Sequence, residues 1–218
     1  MPRGLDSKPG GCHDRAVSEM AAAAASGTHP IRLRITDDLQ RTRLTVFFRV
    51  LLAVPHFVWE ALLAIVAVIA VIANWFATLI TGRSPDALHS FLAGYLRYAT
   101  HVSAYLFLLA DPYPGFFLVN LKQDYPIDVE IAGPEPQGRA AVFFRIILAI
   151  PAMIVANILR NLSGILAFFS WWVALFTGRV PEGIRNFGAF ALRYETQTYA
   201  YLALLTERYP SFNVGITS

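Results

Sequence analysis

The chain has 218 residues, of which 56% are hydrophobic and 15% are charged, and its formal net charge is +3. Soluble domains are usually about 45–50% apolar, so the excess of apolar residues predicts contact with lipid. The basic residues are scattered singly, which argues against a nucleic-acid partner, and one cysteine cannot form an internal disulfide. Because the five histidines also lack the spacing of metal ligands, we expect neither a metal site nor a cofactor.

The chain contains an internal duplication. Residues 1–28 are rich in glycine, proline and charge, and we expect a disordered tail there. Residues 29–116 then align with residues 125–212 without a gap, so that RLTVFFRVLLAVP matches RAAVFFRIILAIP and TGRSP matches TGRVP. We therefore divide the chain into repeat 1, residues 29–121, and repeat 2, residues 122–218.

Each repeat opens on a short alternating segment, HPIRLRI or YPIDVEI, whose period of two predicts a half-buried strand. Each repeat also closes on an extended run, FFLVNL or FNVGIT, so we expect up to four strands in a small sheet outside the membrane. If the opening strands pair antiparallel about a pseudo-two-fold axis, Arg32 lies opposite Glu130 and Arg34 lies opposite Asp128. The alternative is that these four charges are simply solvated.

A long apolar stretch follows the opening strand of each repeat. In repeat 1 an arginine-containing segment, residues 43–54, is expected to stop at Pro55 and suits the membrane interface. Residues 56–80 are then long enough to cross a hydrocarbon core of about 30 Å, which needs roughly 20 residues. The matching residues 152–176 of repeat 2 are predicted to span as well.

The second helix of each repeat is predicted over residues 86–110 and 182–206, beginning at the proline after TGR. One face is polar and the other is made of Phe, Leu and Tyr, so the helix either packs its polar stripe inside a bundle or lies flat at the interface. Six side chains of these stripes and of the TGR loops are candidate contacts for lipid headgroups or anions: Arg97, Arg193, His101, Gln197, Arg83 and Arg179. The alternative for the four arginines is a structural role, bonding to backbone carbonyls or to Glu195.

An ion pair inside the membrane is also predicted. A charge at the centre of a membrane segment costs at least about 2.5–3.5 kcal/mol when it is unpaired. Glu60 and Arg160 lie one helical turn apart when the repeats are superposed. We expect them to pair if the first long helices pack about the pseudo-axis, and otherwise to reach separate interfaces.

The order of motifs YPI, FFR, LAIP, ALFTGR, LRY and ERYPSF resembles the tandem-repeat membrane proteins of bacteria and archaea grouped as DUF4389, a domain of unknown function. The resemblance covers residues 29–212. It implies a helical multispanning membrane protein and brings no catalytic residues. The first long stretch of repeat 2 is more polar than the resemblance implies, because it contains Asn157, Arg160 and Asn161.

The sequence thus predicts an all-α integral membrane protein with a small β cap. Each of its two tandem repeats is expected to contain a strand, an interfacial helix, two membrane helices and a short strand, and the repeats are expected to be parallel in the membrane. No motif of an enzyme site occurs, so we expect no enzyme.

We expect a structural, interaction or accessory component of the cell membrane, multi-pass, with its cap and termini in the cytoplasm. Its partners would be the lipid bilayer and either another membrane protein or a second copy of the chain. The alternative is a small transporter or channel with a polar path between the two repeats.

Overall fold

The computed structural model describes residues 29–118, 121 and 125–212, so the predicted tail lies outside the described residues. The fold is mostly helical with a two-stranded sheet. Its elements, in chain order, are β1 (Ile31–Ile35), α1 (Arg43–Thr81), α2 (Asp86–Leu106), β2 (Ile127–Ile131), α3 (Arg139–Phe143), α4 (Arg145–Thr177) and α5 (Glu182–Leu202).

The long helix α1 runs through Pro55 without a break. The predicted boundary between an interfacial helix and a membrane span at this residue is therefore wrong. Proline removes one backbone hydrogen bond and crowds the preceding turn, but the strongly apolar residues on both sides continue the helix. In repeat 2 the interruption falls at Phe144, between α3 and α4, while Pro151 lies inside α4.

Both long helices end at the TGR motif. Gly82 and Gly178 adopt the left-handed conformation, with φ of 79° and 73°, which glycine reaches without a steric penalty. The hydroxyl of the preceding threonine, Thr81 or Thr177, accepts a hydrogen bond from the amide of the arginine that follows. The motif is therefore a helix stop in both repeats.

Within each repeat the long helix and the helix after it form an antiparallel hairpin. In repeat 1, Ser84 donates to the Asn74 side chain at one end of the hairpin, while Arg49 donates to the Ala110 carbonyl at the other. The second helices, α2 and α5, begin where the sequence predicts but end four residues earlier, at Leu106 and Leu202.

The two hairpins are related by a pseudo-two-fold axis that passes between Thr100 and Thr196, whose hydroxyl oxygens lie 3.2 Å apart. Leu109, just after α2, packs against Gly188 near the start of α5, so these two helices are antiparallel.

The long helices show the same relation. Trp75 donates to the Val142 carbonyl and Trp171 to the Val46 carbonyl, at 2.9 and 2.8 Å, so the end of each long helix meets the beginning of the other repeat's long-helix segment. Equivalent helices of the two repeats therefore run in opposite directions, which does not fit two parallel repeats of upright membrane helices.

The strands β1 and β2 form an antiparallel sheet centred on the same axis, where Leu33 pairs with Val129. The sheet is tied to the second helices, because Arg97 donates to the Val129 carbonyl and Gln197 to the Ile31 carbonyl. The described residues contain these two strands and not the four expected. Residues 116–118 are not in a strand, and the rest of the closing runs, apart from Leu121 and Phe212, lies outside the described residues.

The molecule has three layers. The strands contact α2 and α5, and α2 and α5 in turn contact α1 and α4. The main buried cluster joins the sheet to the second helices and includes Ile31, Leu33, Leu96, Ile127 and Leu192.

The long helices are apolar and mostly exposed. Among the described residues, almost every exposed large hydrophobic side chain lies on the segments 43–81 and 139–177; the exceptions are Leu118, Tyr199, Tyr209 and Phe212.

Two helices, α1 and α4, are long and apolar enough to cross a membrane, and this suggests membrane association. Only 28% and 22% of their most apolar windows are buried, unlike the core helix of a soluble protein. The four membrane helices expected from the sequence are not found in the described part of the chain. The second helices are too polar to meet the same test, because they carry the stripe that packs beneath the sheet.

Candidate functional site

Arg49 caps the end of helix α2 from inside the apolar helix α1. Its guanidinium donates to the carbonyls of Tyr105 and Ala110 and pairs with Asp111 at 2.9 Å, and the residue is only 2% exposed. The last carbonyls of a helix lack backbone partners, and the negative end of the helix dipole favours a cation. The Tyr105 ring adds a cation–π contact, with the guanidinium carbon 4.3 Å from the ring centre.

Arg145 occupies the equivalent place in repeat 2. It donates to the Thr206 carbonyl and to the Gln137 side chain, and its guanidinium lies 4.1 Å from the Tyr201 ring centre. Neither arginine is among the site residues predicted from the sequence. The available signal was the recurrence of FFR, which places one arginine at the same point of each apolar helix.

The TGR loops join the two repeats through their backbones. The amide of Gln137 donates to the Gly82 carbonyl at 2.8 Å, and the amide of Arg41 donates to the Gly178 carbonyl at 2.9 Å. The side chains of Arg83 and Arg179 are exposed, and Arg83 forms a 3.4 Å ion pair with Asp86.

The polar stripe of α2 faces the sheet. The Nε2 atom of His101 lies 3.0 Å from the Asp128 carboxylate, and Arg97 Nε lies 3.2 Å from the same oxygen. Burial alone would raise the pKa of Asp128, but the hydrogen bonds from His101 and the Val129 amide and the charge of Arg97 hold it below its usual range. This stripe therefore anchors the sheet to α2.

The equivalent stripe of α5 has different chemistry. Gln197 donates to the Ile31 carbonyl and accepts from the Ser211 amide, so it also holds the sheet. Arg193 is 5% exposed, and its Nε and Nη2 atoms have no hydrogen-bond partner among the described residues.

The sheet places the charges of its two strands in register. Arg32 lies opposite Glu130, and Arg34 lies opposite Asp128. The Asp128 carboxylate, however, is bound by the α2 side chains described above, whereas Arg34 and Glu130 are exposed.

A cavity of about 580 Å³ lies on the opposite side of α2 and α5 from the sheet, between those helices and α1. This volume falls within the roughly 300–1,000 Å³ of typical ligand pockets. Most of its lining is aliphatic and includes Ala64, Val68, Ile72, Leu92, Leu96 and Leu192.

Three charged residues line the same cavity. Arg160 of α4 donates from Nη1 to the Glu195 carboxylate of α5, and their side chains are 46% and 6% exposed. Glu60 of α1 also lines the cavity, but among the described residues it forms no ion pair within 4.0 Å. The structure thus brings Glu60 and Arg160 to one cavity, while the direct partner of Arg160 is Glu195.

The described residues contain no group of three or more His, Cys, Asp or Glu side chains that could hold a metal ion.

Comparison with protein families identifies two tandem matches. The family model described as Domain of unknown function (DUF4389) matches residues 43–118 and 139–213, and each match covers one helical hairpin. The resemblance inferred from the repeated motifs is confirmed. No curated protein and no solved structure matches the chain.

Proposed function

Since the chain belongs to the DUF4389 family, whose description names no activity, we propose a function from its geometry. The chain is a non-enzymatic membrane protein that lies flat in the bilayer surface. Helices α1 and α4 are immersed in one leaflet, and the sheet faces water as a surface for a partner.

The observation that carries this proposal is the apolar outer face of the long helices. On α1, five side chains on one face are between 55% and 71% exposed: Leu44, Leu51, Leu62, Ile69 and Ile80. Contiguous apolar surface of this extent is a contact surface for lipid or protein. In the middle of the neighbouring helices Thr100, His101, Glu195 and Thr196 are buried, which suits a protein whose outer solvent is apolar. On α4 the exposed polar exceptions include Asn157, Arg160 and Asn161.

The length of α1 favours a flat orientation over an upright one. The helix has 39 residues, which at 1.5 Å per residue is about 58 Å. A hydrocarbon core is only about 30 Å thick. Exposed apolar side chains continue from Leu44 to Ile80, so an upright helix would leave many of them in water.

The position of the sheet also favours the flat orientation. With upright helices the pseudo-axis would lie in the membrane plane, and the sheet on that axis would sit near the bilayer centre. The exposed charges of Arg34 and Glu130 would then each cost at least about 2.5–3.5 kcal/mol. With flat helices the axis follows the membrane normal, and the sheet lies in water.

Both ends of the long-helix pair carry exposed arginines. Arg43 and Arg179 lie at one end, and Arg83 and Arg139 at the other. In a flat orientation these side chains reach the headgroup layer, where each basic residue gains about 1 kcal/mol near anionic lipid. This distribution supports the cytoplasmic leaflet as the site of insertion, with the sheet in the cytoplasm.

Vesicle flotation tests the immersed face. The variant Leu62→Glu with Ile69→Glu places two charges on that face, and Arg34→Glu with Glu130→Lys changes two charges on the sheet as a matched control. We expect the wild type and the sheet variant to float with vesicles, and the face variant to remain at the bottom. Equal flotation of all three proteins would contradict the proposal.

A small transporter is a second candidate, and the cavity between the repeats is the observation that favours it. The stripes containing Arg97 and Arg193, which were expected to line a polar path, pack beneath the sheet, and Ala189 within the α5 stripe is 2% exposed. Cysteines introduced at Ala64 and Ala99, which line the cavity, in a chain lacking Cys12, are expected to resist a membrane-impermeant thiol reagent, as are cysteines at Ala93 and Ala189 beneath the sheet. Rapid labelling at Ala64 and Ala99 would favour the transporter.

A further inference from the structure

We infer that the cavity between α1, α2 and α5 binds one phospholipid molecule with an ethanolamine headgroup, held at Glu60 and Arg160. This inference rests on the proposed function, because the lipid enters from the leaflet in which α1 and α4 lie. The acyl chain occupies the aliphatic part of the cavity, and the headgroup lies at the charged end.

The cavity is open to the leaflet. Val68 and Ile72 line it, yet they are 59% and 53% exposed and belong to the apolar outer face of α1. An acyl chain that passes these two residues remains in apolar surroundings along its whole path. Most of the wall beyond them is aliphatic and includes Ala64, Leu92 and Leu96. Hydroxyl groups also line it, but those of Thr100 and Thr196 donate to backbone carbonyls of their own helices.

The charged end matches a zwitterion. Arg160 uses Nη1 for Glu195, and its half-exposed guanidinium has further N–H donors for a phosphate. The Glu60 carboxylate has no basic partner within 4.0 Å among the described side chains and accepts hydrogen bonds from an ammonium group. A lipid with a phosphate and no amine would leave Glu60 without a partner in a largely apolar site.

The charges are absent from the other repeat. The positions equivalent to Glu60, Arg160 and Glu195 are Ala156, Ala64 and Ala99. Three alanines therefore suffice for the same helical packing, and the charged residues are not required by the fold. A partly buried ion pair is in any case weak support for stability, which leaves recognition as the better explanation. Because these three charged residues occur together once in the molecule, we expect one bound lipid per molecule.

Native mass spectrometry of the delipidated, detergent-purified full chain tests the inference. The protein is titrated with phosphatidylethanolamine or phosphatidylglycerol of identical acyl chains. We expect one bound molecule of phosphatidylethanolamine and about tenfold weaker binding of phosphatidylglycerol, because the second lipid provides no donor for Glu60. Glu60→Gln should remove this preference.

A steric variant separates the cavity from the rest of the apolar face. Val68→Trp fills the cavity opening and should abolish binding of both lipids. Ile69→Trp, at the neighbouring exposed position outside the cavity, should bind both lipids like the wild type. Equal binding of the two lipids by the wild type, or unchanged binding by Val68→Trp, would overturn the inference. Flotation of the same proteins distinguishes the two proposals. If the wild type floats with vesicles but binds the two lipids equally, the bound phospholipid is contradicted and the flat membrane orientation is not.

Discussion

The outer helices α1 and α4 and the inner helices α2 and α5 distribute polarity in opposite ways. The outer pair exposes leucine, isoleucine and phenylalanine along its length, while the inner pair buries Thr100, His101, Glu195 and Thr196. In a soluble protein the polar residues would be outside. The difference shows that the inner polar groups must find partners within the protein, and it supports lipid as the solvent of the outer helices.

The largest expected effect comes from Arg49, a charged side chain that the outer helix α1 buries against the end of α2. Arg49→Ala leaves the last carbonyls of α2 and the Asp111 carboxylate without their cation. Removing one partner of a buried charge pair typically costs about 3–5 kcal/mol, and we expect a loss of this size in the free energy of unfolding, measured with denaturant in detergent micelles. Arg43→Ala, an exposed arginine on the same helix, is the control. Similar stability of the two variants would contradict the capping role.

The contact between the inner helices can be tested with two glycines of α5. A Cβ on Gly188 would meet the buried Leu109 side chain at 2.7 Å, whereas a Cβ on Gly183 would meet nothing within 4 Å. Gly188→Ala should therefore lower the free energy of unfolding by about 1–3 kcal/mol, the usual cost of overpacking. Gly183→Ala should leave it unchanged or slightly higher, because alanine favours a helix. If the two substitutions have equal effects, the inner helices do not approach as closely as described.

The anchor between the inner helices and the sheet predicts a dependence on pH. The pKa of Asp128 is lowered in the folded state, so its stabilising effect is present above the unfolded pKa of about 3.9 and is lost as the pH falls through the folded value. Asp128→Asn should cost about 1–2 kcal/mol near neutral pH and should reduce the loss of stability on acidification. Thermal unfolding measured between neutral pH and a pH of about 3 tests this expectation. Glu130→Gln, on the exposed face of the same strand, is the control. If the thermal stability of the wild type and of Asp128→Asn changes with pH in the same way, Asp128 does not anchor the sheet.

Those parts of the fold that depend on local sequence could be predicted. The duplication implies the sheet register, because equivalent strands that pair about an axis must match at Leu33 and Val129. The TGR motif gives the ends of both long helices, since its glycine adopts the left-handed conformation and a proline follows three residues later. The starts of α2 and α5 follow from the proline and the acidic residue after this motif.

The remaining features depend on tertiary packing. Amphipathicity shows that α2 has a polar face but does not show that a sheet covers this face. The sequence therefore predicts four membrane helices, whereas two helices of the described residues are long and apolar enough to cross a membrane. The sequence predicts Glu60 of the other long helix as the partner of Arg160, whereas Glu195 of α5 faces the same cavity and is the direct partner. The cap at Arg49 depends on the end of a helix more than fifty residues later in the chain.

The depth of spin labels along α1 tests the flat orientation most directly. Labels at Leu44, Leu51, Leu62, Ile69 and Ile80 lie on one face at about 3.6 residues per turn and span about 54 Å. In vesicles, the accessibility of each label to a lipid-soluble and to a water-soluble paramagnetic reagent gives its depth. We expect all five labels to lie at nearly the same depth below the headgroups. A profile that is deepest at Leu62, with Leu44 and Ile80 in water, would show that the helix crosses the bilayer and would contradict the account.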